Sequence, residues 1–159
     1  MSSPELSPKE SQAVARLKTL EECDQFALNM ASNPALVRAA SRRAIEISLA
    51  THADTSQVTR DVWAVVYAYE EVLHIKHGRR LKAQRTRNAI ANHGPIRAVE
   101  NIVTQRVNED DGFARLLVVG LAELTFEAVV LKHCSEFSLR AVEQARSKLE
   151  SRRDRGHMG

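Results

Sequence analysis

Apolar residues along this chain recur at intervals of three and four, the spacing that gathers them on one face of a 3.6-residue helix. In residues 11–32 the series Leu17, Leu20, Phe26, Ala27 and Met30 predicts a first helix. Asn33-Pro34 ends it and starts a second, because proline suits a first turn. That second helix runs from residue 34 to about residue 50, with Leu36, Ala40, Ala44 and Ile47 toward a partner. Residues 55–77 carry a broader stripe of Val58, Val62, Val65, Val66, Tyr69, Val72 and Leu73, and Asp54 or Thr59 is available as an early cap. β-Branched residues are frequent there, but length and period favour helix over strand.

Gly78 interrupts the series, and a helix over residues 80–93 follows whose large apolar residues are Leu81 and Ile90. Gly94-Pro95 makes a tight turn into a helix with Ile96, Val99, Val103 and Val107 on its inner face. Residues 108–112 read as an acidic turn. From residue 113 to 133 apolar side chains surround the whole wheel, which predicts the central buried helix, and Ser138 caps a last helix to about residue 152. The expected fold class is all-α: a compact bundle of about seven helices in one or two lobes, with an irregular helix-turn-helix near residues 80–107. Residues 11–77 and 78–151 form the two lobes, and residues 1–10 and 152–159 are flexible ends. The phrase Ile96-Arg97-Ala98-Val99-Glu100-Asn101 nearly recurs as Leu139-Arg140-Ala141-Val142-Glu143-Gln144, a spacing typical of helical repeats, although two short copies also arise by chance.

With 159 residues, 43% apolar and 27% charged, the chain is long enough to bury a core without staples or metals. Cys23 and Cys134 stand far apart with no C-x-x-C spacing, which suits a reducing compartment. The start lacks the basic stretch and apolar run of a secretory signal, and the most apolar stretch, residues 113–132, is interrupted by Arg115, Glu123 and Glu127. A cytoplasmic protein with no membrane partner is expected.

Charge changes this picture. Residues 76–99 hold Lys76, Arg79, Arg80, Lys82, Arg85, Arg87 and Arg97 without a single Asp or Glu. Of 23 basic residues, removing these seven leaves 16 against 20 acidic ones, so the basic character is concentrated in one place. A local positive field of this kind suits phosphate oxygens. Across the Gly94-Pro95 turn, Arg97, Asn101, Thr104 and Gln105 lie opposite the valines, and Arg, Asn and Gln can make paired hydrogen bonds to base edges. Lys76, Arg79, Arg80, Lys82, Arg85 and Arg87 would then grip phosphates while Arg97, Asn101 and Gln105 read sequence. His93 before the turn and Pro95 at the corner make the motif irregular. Duplex DNA is favoured over single-stranded RNA because only 4% of the chain is aromatic and Trp63, Tyr67, Phe113 and Phe126 fall at core-like positions, leaving no stacking platform. The expectation is a non-catalytic DNA-binding protein in regulation or DNA organisation, plausible as a homodimer. Its rival is a helical interaction module whose basic face meets an acidic partner protein. Both require guanidinium groups that project into water instead of pairing with carboxylates of neighbouring helices.

Other constellations carry less. Glu71, His74 and His77 share a helix face with Glu70 nearby, and Glu-x-x-His is a di-iron spacing, but a second copy and further carboxylates are needed and Glu123 with Glu127 supplies at most half of them. His133 and Cys134 point about 100° apart on a helix, so no thiolate-imidazole pair is expected and Cys134 reads as a small packed hydrophobe. There is no G-x-S-x-G, Walker loop or G-x-G-x-x-G, so neither catalysis nor a cofactor is expected.

Over residues 71–149, the runs Lys76-His77-Gly78-Arg79-Arg80, Arg85-Thr86-Arg87, His93-Gly94, Ala98-Val99-Glu100, Gly112-Phe113, Gly120-Leu121 and Thr125-Phe126-Glu127-Ala128-Val129-Val130-Leu131 resemble a group of uncharacterised all-helical bacterial proteins. The resemblance covers about half of the chain and implies a bacterial or phage origin, with no activity attached.

Overall fold

The computed structural model describes residues 6–105, 116 and 120–157, with side chains to residue 151. Among them every regular element is helical, as expected. The chain divides at Asp54–Thr55 into two compact units.

The first unit opens with α1 (Pro8–Ala15), where Ser7 and Glu10 close a capping box, each side chain bonding the other's backbone N–H. The stretch expected as one helix over residues 11–32 is two. The chain leaves α1 at Arg16 and re-enters α2 (Leu20–Asn29) at Thr19, whose hydroxyl accepts from the Glu22 N–H at 3.1 Å. A competent cap outcompeted a weak apolar period between Ala15 and Leu20. Asn33 caps α3 (Pro34–Leu49) with Pro34 in its first turn, as the sequence predicts. α3 packs on both α1 and α2, burying Leu36, Ala40, Ala44 and Ile45 with Cys23. Arg43 stitches the unit by donating from Nε to the Leu17 carbonyl at 3.0 Å.

The second unit begins with α4 (Gln57–His77), so the helix assigned above to the first lobe belongs to the second. Its cap is Ser56, accepting from the Thr59 N–H, and not Asp54 or Thr59. The reason for its membership lies in its valines: Val58, Val62, Val65 and Val66 join Ile90 of α5 (Gln84–His93) and Ala98, Val99 and Val103 of α6 (Pro95–Thr104) in one core. Phe126, Val129 and Val130 of α7 (Phe126–Lys132) and Ala141, Val142 and Ala145 of α8 (Leu139–His157) complete it. Each fully buried valine contributes roughly 1.5–2 kcal/mol of transfer free energy. α6 touches α4, α5, α7 and α8, so it, and not a helix over 113–133, is the hub.

Gly120 takes φ 77°, and the chain becomes helical again only at Phe126, where the Thr125 hydroxyl accepts from the Ala128 N–H. The expected long central helix is therefore interrupted; the acidic turn 108–112, Val107 and Phe113 lie outside the described residues. Ser138 caps α8 as expected, accepting from the Ala141 N–H at 3.2 Å. The α8 backbone continues helically through residues expected to fray, to His157. No helix among the described residues is long and apolar enough to cross a membrane.

Candidate nucleic-acid interface

The basic segment is built on the last two turns of α4. Gly78 closes that helix in the left-handed conformation, φ 71° and ψ 10°, with its N–H donating to the His74 carbonyl. The chain then reverses against the helix it has just left. Glu70 and Glu71 receive it. The Ala83 N–H donates to Glu70 Oε2 at 2.9 Å, and the Arg80 guanidinium pairs with Glu71 Oε2. Arg87 completes the clasp from α5, its Nε and Nη2 donating to the two Glu70 oxygens at 2.6 and 2.8 Å. This clasp is why the helix expected from residue 80 starts only at Gln84: the Ala83 N–H and the Arg80 side chain bond to α4, which holds the segment before Gln84 out of a first helical turn.

Two of the seven cations are thus committed inside the protein. Glu71 is only 4% exposed and the Glu70 side chain 12%, so each carboxylate needs its arginine to offset lost hydration. Arg87 is held protonated more firmly than a free arginine, chiefly by the Glu70 hydrogen bonds, against an opposing burial effect. Lys76, Arg79, Lys82, Arg85 and Arg97 are exposed, and none of the five enters an ion pair among the described residues. The positive surface is real but smaller than the sequence promised.

Arg87 has a second set of neighbours. Its guanidinium carbon lies 5.3 Å over the Trp63 ring and 5.7 Å over that of Tyr67, and the two ring centroids are 5.7 Å apart at 33°. Neither ring is fully buried. Both rings thus adjoin the basic segment at Arg87, while Trp63 also packs, partly buried, against the valine core as its core-like position predicts. Phe126 is core, as expected, and packs 6.2 Å from Tyr69.

The α5–α6 corner is present, with the single residue Gly94 ending one helix and starting the next. Arg97, Asn101 and Gln105 are exposed on the outward strip of α6, while Thr104 bonds back to the Glu100 carbonyl at 2.8 Å. The neighbouring backbone is tied down, the Gln105 carbonyl accepting from Lys148 and Glu100 from the Ser138 N–H. α6 touches four helices, and the outward strip it leaves carries Arg97, Asn101 and Gln105.

Elsewhere in this unit Asp61 accepts from Gln57, Lys132 and His133 at 2.8, 2.9 and 2.7 Å. Burial opposes its ionisation, but these three donors outweigh that and hold its carboxyl below the ordinary value. The adjoining hollow of about 130 Å³ is smaller than typical ligand pockets. No cluster of three or more metal-ligating side chains occurs among the described residues, and Glu71 of the Glu-x-x-His spacing is occupied by Arg80. Cys134 is exposed, not packed, because the helix ends at Lys132.

Sequence reasoning missed Glu70 and Glu71 as partners. The signal was available: an acidic pair directly before a glycine break and an acid-free basic run is positioned to meet that run once the chain turns back. No family model, curated protein or solved structure matches this chain.

Proposed function

We propose that this protein binds nucleic acid without catalysis, through phosphate contacts from Lys76, Arg79, Lys82 and Arg85. The observation that carries the reading is the division of labour in the basic segment. Glu70 and Glu71 consume Arg80 and Arg87 and thereby hold residues 79–83 against α4, which keeps the remaining cations presented outward on a fixed backbone. Pre-positioned cations lose less side-chain and loop entropy on binding than a mobile basic tail does. Arg97, Asn101 and Gln105 extend the polar surface and are the residues that base readout would use on duplex DNA. A cytoplasmic, bacterial setting and a homodimer that doubles the phosphate contacts accompany this proposal.

An electrophoretic shift at low salt with duplex and single-stranded probes tests it. Binding that disappears when Lys76, Arg79, Lys82 and Arg85 are replaced together by Ala is the expected result. Binding retained by that variant removes the reading. Failure of every probe removes it too, and leaves the acidic protein partner as the reading to pursue.

A further inference from the structure

Resting on that proposal, we infer that Arg87, Tyr67 and Trp63 form a stacking platform for an unpaired base, which makes single-stranded nucleic acid the preferred form at this surface. Arg87 is not a phosphate grip. Its fork is already filled by both oxygens of Glu70 and its charge is offset there, yet 24% of the side chain stays accessible. What such a group still offers a ligand is its plane. Two hydrogen bonds hold the guanidinium, and its carbon lies 5.3 and 5.7 Å from the Trp63 and Tyr67 ring centroids. A guanidinium held in this way, bordered by partly exposed aromatic rings, is the kind of surface on which splayed bases stack.

Arg85 on α5 and Lys82 just before that helix are exposed cations of the same segment, available to the phosphates of a bound strand. Duplex DNA cannot use the platform, because its bases already stack on one another and present only edges to a protein.

Trp63 is the sole tryptophan of the chain, so its emission reports on the platform directly. The full-length protein is titrated with an oligothymidylate, an oligouridylate, a blunt duplex and inorganic polyphosphate, while binding is followed in parallel by competition against a labelled strand. Quenching of Trp63 by the two single strands, with none from polyphosphate or duplex at equal occupancy, is expected. Tyr67→Ala should weaken oligothymidylate binding about five- to a hundredfold and leave polyphosphate binding unaltered. Equal quenching by polyphosphate, or equal losses for both ligands in Tyr67→Ala, overturns the platform while phosphate binding stands. If none of the four polyanions binds, the platform falls together with the proposed function.

Discussion

Arg87 meets Glu70 through two parallel hydrogen bonds, Nε to Oε2 and Nη2 to Oε1, across 17 residues of sequence. The pair joins α5 to α4 on the rim of the valine core, and Glu70 also accepts from the Ala83 backbone. Its geometry is the planar fork-to-carboxylate match that lysine cannot reproduce.

Removing one side of this pair strands the other. Glu70→Ala leaves a guanidinium and a backbone N–H without an acceptor in a partly dry site and should cost about 3 kcal/mol. Arg87→Lys should recover only part of what Arg87→Ala loses, since a point charge makes one of the two bonds. Urea unfolding midpoints of the three variants check this. Equal stability of Arg87→Lys and wild type would show that charge alone, without the fork, holds α5 to α4.

The two glycines that punctuate the basic segment are there for different backbone reasons, and substitution separates them. Gly78 has φ 71° and ψ 10°, a conformation asparagine also visits, whereas Gly94 has φ 82° and ψ 161°, which is essentially reserved to glycine. A Cβ at either position meets nothing within 4 Å, so any cost is conformational and not steric crowding by neighbours. Gly78→Asn should therefore lose well under 1 kcal/mol, and Gly94→Asn about 2–3 kcal/mol. Thermal or urea denaturation reads both, and similar losses at the two sites would contradict this account.

Much of this could be read from residue order. The Asn33-Pro34 boundary, the valine stripe of α4, the Gly94-Pro95 corner, the inner face of α6 and the Ser138 cap are all local patterns whose chemistry lies within a few residues. What escaped depends on chain reversal. The pairing of Glu70 with Arg87 and the approach of Arg87 to Trp63 join residues that no periodicity relates, and the core-like position of Trp63, which does pack on the core, gave no sign that its ring also reaches Arg87. The start of α5 was misplaced for the same reason, since Arg80 and Ala83 answer to Glu71 and Glu70 and not to helix propensity.

Asp61 predicts a pH dependence. Its carboxyl is held below the ordinary value: burial, the largest single influence, opposes ionisation, and hydrogen bonds from His133, Lys132 and Gln57 outweigh it. A group depressed in the native state stabilises the fold above its unfolded value, about 3.9, and that stability is lost as pH falls through the native value. Asp61→Asn should thus be less stable than wild type at neutral pH, with the gap closing below about pH 4. Urea midpoints of the two proteins across this range check it. A gap of constant size down to the acid limb would mean that the Asp61 cluster acts through shape and not through charge.

Salt titration separates the committed cations from the presented ones. Each phosphate neutralised on a single strand contributes about 0.7 to the slope of log affinity against log salt, so four contacts give a slope of roughly −3. Single Ala replacements of Lys76, Arg79, Lys82 or Arg85 should each lower its magnitude by about 0.7. Arg80→Ala differs in kind, because Arg80 answers a carboxylate that is 4% exposed. It should reduce stability, and at temperatures where the variant is folded it should leave the slope unchanged. Fluorescence anisotropy with a labelled oligothymidylate at several salt concentrations measures all five variants. A slope that fell for Arg80→Ala as it does for Arg79→Ala would place Arg80 among the phosphate contacts and dissolve the distinction between clasp and interface.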